Sequence, residues 1–244
     1  MPVMQTEPTM TTDNSTPLSE RFAANARAAA EVRSAFALDE VTAISLIGAP
    51  GSGKTSLLEA LVRHVSGRIH VAAIIGNLAA ARDAERIART GAFAIPVQTD
   101  NLSAEHVRAA VPELNLRRTN LVLIEGPGNT LSPVEFDLGQ DRRIAVFSVA
   151  GGDDKATAYP RLVAESDLVL LTKSDLLPHV SFDLDLFRAD TAALNAVAQV
   201  LTVSARTGHG VDDLLNWLMR HWSPSKAHRT NGRLPDPTSD WFLP

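Results

Sequence analysis

The segment Gly48-Ala49-Pro50-Gly51-Ser52-Gly53-Lys54-Thr55 has the spacing GxxxxGK[ST] of a phosphate-binding loop. Glycine permits backbone conformations in which successive amide hydrogens converge on phosphate oxygens, and a helix starting at the end of the loop adds its positive pole. Lys54 is expected to bridge the β- and γ-phosphates as a catalytic cation, and the Thr55 hydroxyl to ligate Mg²⁺. The residues expected to hold the phosphates are Gly48, Gly51, Ser52, Gly53, Lys54, Thr55 and Ser56.

Such a loop works only between a strand and a helix, and the surrounding pattern supplies both. Apolar runs recur at Val41 to Ile47, Val71 to Ile75, Ala94 to Val97, Leu121 to Ile124, Ile144 to Val149, Leu168 to Leu171 and Val200 to Val203. They read as strands buried on both faces. Helix-forming stretches at Thr55 to Val65, Ala79 to Thr90, Ala104 to Leu114 and Val211 to Trp222 lie between or after them. This alternation predicts an α/β fold with a mainly parallel sheet flanked by helices, a P-loop NTPase. Residues 1–17 are polar with prolines and read as a flexible arm, residues 18–38 as a leading helix with Ser19 as its N-cap, and residues 39–222 as the nucleotide domain. The proline-containing segment 223–244 reads as an unpacked end or, through Trp241, Phe242 and Leu243, as an anchor that docks on a partner or on its own domain.

At 244 residues, 45% hydrophobic and 21% charged, with a net charge of -5, the composition gives no signal of disorder or of a nucleic-acid surface. The absence of cysteine excludes disulfides, thiolate metal sites and thiol catalysis. No apolar run is long enough to span a bilayer, which takes roughly 18 residues or more, and the expected location is the cytoplasm.

The strand ending at Leu171 runs into Thr172-Lys173-Ser174-Asp175, which resembles the N/T-K-x-D motif of GTPases. In that arrangement the Asp175 carboxylate accepts from the guanine N1 and N2 donors and the stem of Lys173 covers the ring. Adenine has no such donor pair. Ser204-Ala205-Arg206-Thr207 is similar to the SAK/SAR loop of GTPases, whose Ala205 amide would meet the guanine O6; Thr172, Lys173, Asp175, Ser204, Ala205 and Arg206 are the residues expected to bind the base. A small-molecule kinase would leave both strings without a role.

The order of further strings, IEGPGN at Ile124 to Asn129, PVEFDLG at Pro133 to Gly139, GGDDKATAYP at Gly151 to Pro160 and LVLLTKSDLLP at Leu168 to Pro178, resembles the hydrogenase nickel-incorporation GTPases, the HypB-type proteins of the SIMIBI class. The likeness covers about residues 20 to 222 and includes DAERIARTGA at Asp83 to Ala92. It implies a GTP-driven homodimer that assists nickel insertion into a client metalloenzyme beside a small zinc-containing HypA-type partner. It implies that Glu125 to Gly128 form the second switch, with Glu125 and Gly128 at the catalytic centre and Glu125 near Mg²⁺, directly or through water. It also implies a role for Lys155 in the loop beside the nucleotide, at the dimer interface; the alternative is a solvated surface lysine.

The chain departs from that pattern at its metal ligands. Where the family carries a Cys-His pair and a further Cys, this sequence has Asp100 and Asn101 within TDNLSAEHV, and Ser132. Nickel and zinc favour thiolate and imidazole, so an oxygen set should bind them weakly. His64, His70, His106, His179 and His209 are scattered without ligand spacing and read as structural or solvated. Asn77 stands where the family has an aspartate near Mg²⁺. It either holds a metal-bound water or caps the next helix. Two functions follow: a GTPase metallochaperone that has lost its own cysteine site, and a GTP-dependent switch that remodels or gates a client without a metal site. No residue identifies itself as a general base; phosphoryl transfer depends chiefly on positioning and electrostatics, and the family resemblance implies slow intrinsic turnover unless a partner completes the site.

Overall fold

The computed structural model describes residues 18–127 and 137–221. Seven strands, β1 (Thr42–Ile47), β2 (Val71–Asn77), β3 (Phe93–Gln98), β4 (Leu121–Glu125), β5 (Arg142–Ser148), β6 (Leu168–Thr172) and β7 (Gln199–Thr202), form one sheet in the order β3-β2-β4-β1-β5-β6-β7. Every pairing is parallel, so all the strands end on the same edge. From β1 the chain builds outward to one side and then returns to build the other. This reversal opens a crevice at the carboxyl end of the central strand, the usual ligand position in such sheets.

Helices cover both faces: α1 (Leu18–Leu38), α2 (Lys54–Val65), α3 (Ala80–Ala88), α4 (Ala104–Ala110), α5 (Lys155–Ala158), α6 (Pro160–Ala164), α7 (Leu184–Leu194) and α8 (Val211–Arg220). Successive residues of β1 alternate between layers. Ile44 and Leu46 pack with Leu57, Leu58 and Leu61 of α2 and Trp217 of α8, whereas Ala43 faces Val32 and Phe36 of α1. A third cluster joins Phe147 of β5 and Val169 of β6 to Leu162 of α6 and Phe187 of α7. Fully burying a side chain of this size contributes roughly 1.5–3 kcal/mol, so these layers fix where each strand ends.

Two expectations are corrected. β3 and β7 are the sheet's edge strands and are largely half-exposed or exposed, because each has a neighbour on one side only; β1, β4 and β6 are buried throughout, and β2 and β5 at all but one terminal residue. The leading helix begins at Leu18, which puts Ser19 inside the first turn and not at the cap. The helix also runs as far as Leu38 and packs along α4. No helix among the described residues is long and apolar enough to cross a membrane. The arm 1–17, the tail 223–244, Gly128 and Ser132 lie outside the described residues.

Candidate functional site

The loop after β1 passes so close to β5 that a Cβ on Gly48 would lie 2.1 Å from the Val146 carbonyl oxygen, which only glycine allows. It then turns through Gly51 (φ 73°) and Gly53 (φ 91°), left-handed conformations that favour glycine. Gly53 is the N-cap of α2 and offers no side chain, so the amides of the first turn have no side-chain cap and suit an anion. Lys54 is buried at the start of this helix, its Nζ donating to the carbonyls of Gly48 (2.8 Å) and Ala49 (3.2 Å). Burial pulls its pKa down, while the charges of Glu125 and Asp83 partly restore it.

Parallel pairing brings Glu125, the last residue of β4, beside the loop. Thr55 Oγ1 donates to Glu125 Oε1 at 2.7 Å, and Glu125 Oε2 is buried without a partner. Burial lifts the Glu125 pKa to about 7, against the opposing pull of the Thr55 bond and the Lys54 charge. The Thr55 hydroxyl and a carboxylate with one open oxygen line the cleft together and suit a hard cation such as Mg²⁺; Ser52 Oγ is also buried without a partner but does not line the cleft. Thr55 and Glu125 would hold the ion.

Asn77 ends β2 on the same edge. Its Oδ1 accepts from the Ala79 amide (2.7 Å) and its Nδ2 donates to Asp83 Oδ2 (3.1 Å), so the side chain ties the turn before α3 to α3 itself. The sequence did not single out Asp83 as a site residue, nor Arg86, which is bidentate on Glu59 (3.2 and 3.0 Å) and reaches Asp83 (3.2 Å). Their signal was the i, i+3 spacing of opposite charges on the polar face of an amphipathic helix. Asp83, Arg86, Asn77, Asp100, Glu125 and Lys54 all line a cleft of about 980 Å³ that opens over the loop.

From the other side, the Thr172 hydroxyl lies against the carbonyl oxygens of Ser52 and Phe147. Lys173 (φ 57°) reaches across to donate from Nζ to Gly51 O at 2.7 Å. These bonds fasten the TKSD turn to the phosphate loop. Asp175 accepts from Ser204 Oγ (2.6 Å) and Arg206 Nε (2.8 Å), joining the turn to the loop after β7 that also contains Ala205. The Ser204 bond, seconded by Arg206, holds the Asp175 carboxyl below the usual carboxylate range. Ser56 meets Arg86 Nη2 at 3.5 Å.

Lys155 is not brought into this assembly: it opens α5, pairs with Asp154 (3.2 Å) and does not line the cleft. His106 sits at the third position of α4, where its Nδ1 bonds the Ser103 amide (3.2 Å) and hydroxyl (2.7 Å) in a capping box. Among the described residues, no group of three or more His, Cys, Asp or Glu could hold a metal ion.

The family described as "CobW/HypB/UreG, nucleotide-binding domain" matches residues 42–202. The hydrogenase maturation factor HypB of Rhizobium leguminosarum bv. viciae is 40% identical over 193 residues, covering 78% of this chain and 64% of the relative. The chain therefore spans less than two thirds of that relative's length. A crystal structure of hydrogenase maturation factor HypB from Archaeoglobus fulgidus superposes with a TM-score of 0.76 at 29% identity, covering 82% of this chain and all of that one (100%). HypB from Helicobacter pylori, solved in complex with nickel, gives a TM-score of 0.77 at 26% identity over 87% of this chain and 99% of that one. A match over this span, together with the phosphate loop and the parallel sheet, means that the chain belongs to the CobW/HypB/UreG family of nucleotide-binding proteins.

Proposed function

We propose that this protein binds GTP with Mg²⁺, hydrolyses it slowly when alone to GDP and phosphate, and uses the cycle as a homodimer to assist metal delivery during maturation of a client metalloenzyme. The observation that carries the nucleotide reading is the convergence of two strings distant in sequence: Lys173 and Thr172 reach Gly51 and Ser52, and Asp175 stands beside Ser204 and Arg206. Hydrogen bonds thereby join the phosphate loop to a carboxylate suited to a guanine edge, and such joint positioning is what phosphoryl transfer asks of a protein.

Lys54 supplies a cation beside the loop carbonyls, and Thr55 with Glu125 offers oxygens to Mg²⁺, which polarises the phosphates when bound. Gly128 belongs to the second switch in this reading, Lys155 to the dimer interface, and Asn77 acts by orienting Asp83. Relatives named as hydrogenase maturation factors, one of them solved with nickel, support a maturation role, with a small zinc-containing protein of the HypA type and the client enzyme as partners and the cytoplasm as the place of work. A second reading, a GTP-dependent switch that gates its client without a metal site, is favoured by the lack of cysteine and by the capping role of His106.

Displacement of a fluorescent GDP tests the nucleotide assignment: GTP and GDP should compete and ATP should not, and equal displacement by ATP overturns it. Sedimentation with GDP, with a non-hydrolysable GTP analogue and without nucleotide tests the dimer. One mass in all three states removes the switch mechanism.

A further inference from the structure

Both oxygens of Asp175 are engaged before any base arrives. Oδ1 accepts from Ser204 Oγ at 2.6 Å and Oδ2 accepts from Arg206 Nε at 2.8 Å. The two donors differ in kind. Ser204 is fully buried, and its oxygen also accepts from the Thr207 amide (3.2 Å), so it is part of the turn and holds the carboxylate in place. The Arg206 side chain is 76% exposed and reaches back over an Asp175 side chain that is only 11% exposed. Arg206 can leave; Ser204 cannot without unmaking the turn.

The chemistry of the two alternatives is the same. The C2 atom of guanine with N1, N2 and N3 forms a planar guanidine fragment whose N1–H and N2–H donors point in one direction, and the arginine head group is the cationic counterpart of that fragment on a tether. We infer that Arg206 is an intramolecular competitor for the base, occupying the Asp175 oxygen that the guanine edge requires and lowering the apparent affinity for every guanine nucleotide. The inference rests on the GTP reading above. It replaces a role of Arg206 in direct base binding with one in which the side chain must withdraw.

An exchange of one charge-assisted bond for another explains why an exposed arginine would be tolerated here. With the pocket empty, Oδ2 would otherwise lose its partner at a poorly solvated carboxylate. With guanine bound, the base supplies the replacement. The apparent dissociation constant is the intrinsic one divided by the fraction of molecules whose arginine is withdrawn. A pair whose arginine is exposed favours the engaged arm by a ratio of about 1.4 to 5, so the withdrawn fraction, one over one plus that ratio, weakens apparent binding about two- to six-fold.

The test uses the full chain with Mg²⁺ and a fluorescent GDP, comparing wild type with Arg206→Ala and with Arg206→Met, which keeps an unbranched apolar stem without the guanidinium. Both variants should bind the nucleotide about two- to six-fold more tightly, mainly through faster association, while competition by inorganic pyrophosphate, which has no base, should not strengthen. Unchanged or weaker GDP binding in both variants overturns the inference and leaves the GTP reading standing. Equal strengthening for pyrophosphate also overturns it, because the effect would then lie at the phosphates. If wild type binds no guanine nucleotide at all, the GTP reading itself falls, and the competitor with it.

Discussion

Replacing Glu125 by glutamine isolates one physical term in the site. Glu125 is 3% exposed, with one oxygen bonded to Thr55 at 2.7 Å and the other unpartnered. Burial raises its pKa from 4.5 to about 7. Between those values the folded protein holds a proton that the unfolded chain has released, so stability falls as pH rises through the window and stays reduced above it. At 1.36 kcal/mol for each tenfold change, the penalty above pH 7 is about 3 kcal/mol. Glutamine keeps the shape and the acceptor for Thr55 but cannot ionise. In EDTA and without nucleotide, Glu125→Gln should therefore be more stable than wild type by about 3 kcal/mol at pH 8 and by less than about 1 kcal/mol at pH 5. For a chain of this size the difference at pH 8 is about 6–12 °C in Tm. Urea or thermal unfolding at the two pH values is the assay. A difference that does not vary with pH, or a variant less stable than wild type at pH 8, refutes the argument that the buried carboxylate costs stability when ligand-free.

Lys54→Ala should keep the fold, seen by circular dichroism, and weaken GTP binding about 10- to 100-fold, because a charge-assisted phosphate contact is lost; undiminished binding in a folded variant rejects the phosphate-loop assignment. Asp83→Ala should lower stability by about 1–2 kcal/mol in chemical unfolding, since Asn77 Nδ2 and Arg86 Nη1 both lose an acceptor; no loss would mean that the network is slack. Asp175→Asn should relax guanine selection toward xanthosine nucleotides in a competition assay, because one acceptor becomes a donor that the xanthine carbonyl can meet.

The parts legible in sequence were those whose chemistry is local. The loop from Gly48 to Thr55 and the TKSD turn carry their function in consecutive residues, and both stand at strand ends as the motifs require. What the sequence left open depends on which strand lies beside which. Phe93 to Gln98 is as apolar as an inner strand, yet its half-exposed state follows from the sheet order, which no window of residues encodes. In sequence, only the resemblance points Glu125 toward Mg²⁺; its 2.7 Å bond to Thr55 is a consequence of β4 pairing with β1. Asn77 has two open readings in the sequence, a metal-bound water and a helix cap; the N-cap of α3 is Ala79 and not Asn77, whose bonds to the Ala79 amide and to Asp83 instead brace the turn that leads into the helix. Asp83 and Arg86 were invisible as site residues because their meaning comes from Glu59 on α2 and Asn77 on β2, far from a recognisable string.

The remaining prediction concerns nickel. Soft and borderline cations are held by thiolate and imidazole, and this chain has no thiolate to offer. The nearest imidazole to Asp100 in sequence, His106, commits Nδ1 to Ser103, so coordination through that nitrogen would sacrifice a helix cap worth about 1 kcal/mol. Burial also lowers the pKa of His106, which keeps the ring neutral but does not free Nδ1. Asp100 lines the cleft as an oxygen donor, a better partner for Mg²⁺ than for nickel. Calorimetry of the protein bound to a GTP analogue should therefore show no stoichiometric, submicromolar nickel site, and any delivery would depend on metal carried by a partner. A tight site that disappears in Asp100→Ala or His106→Ala would refute this and show that the ligand set has been rebuilt from oxygen and nitrogen.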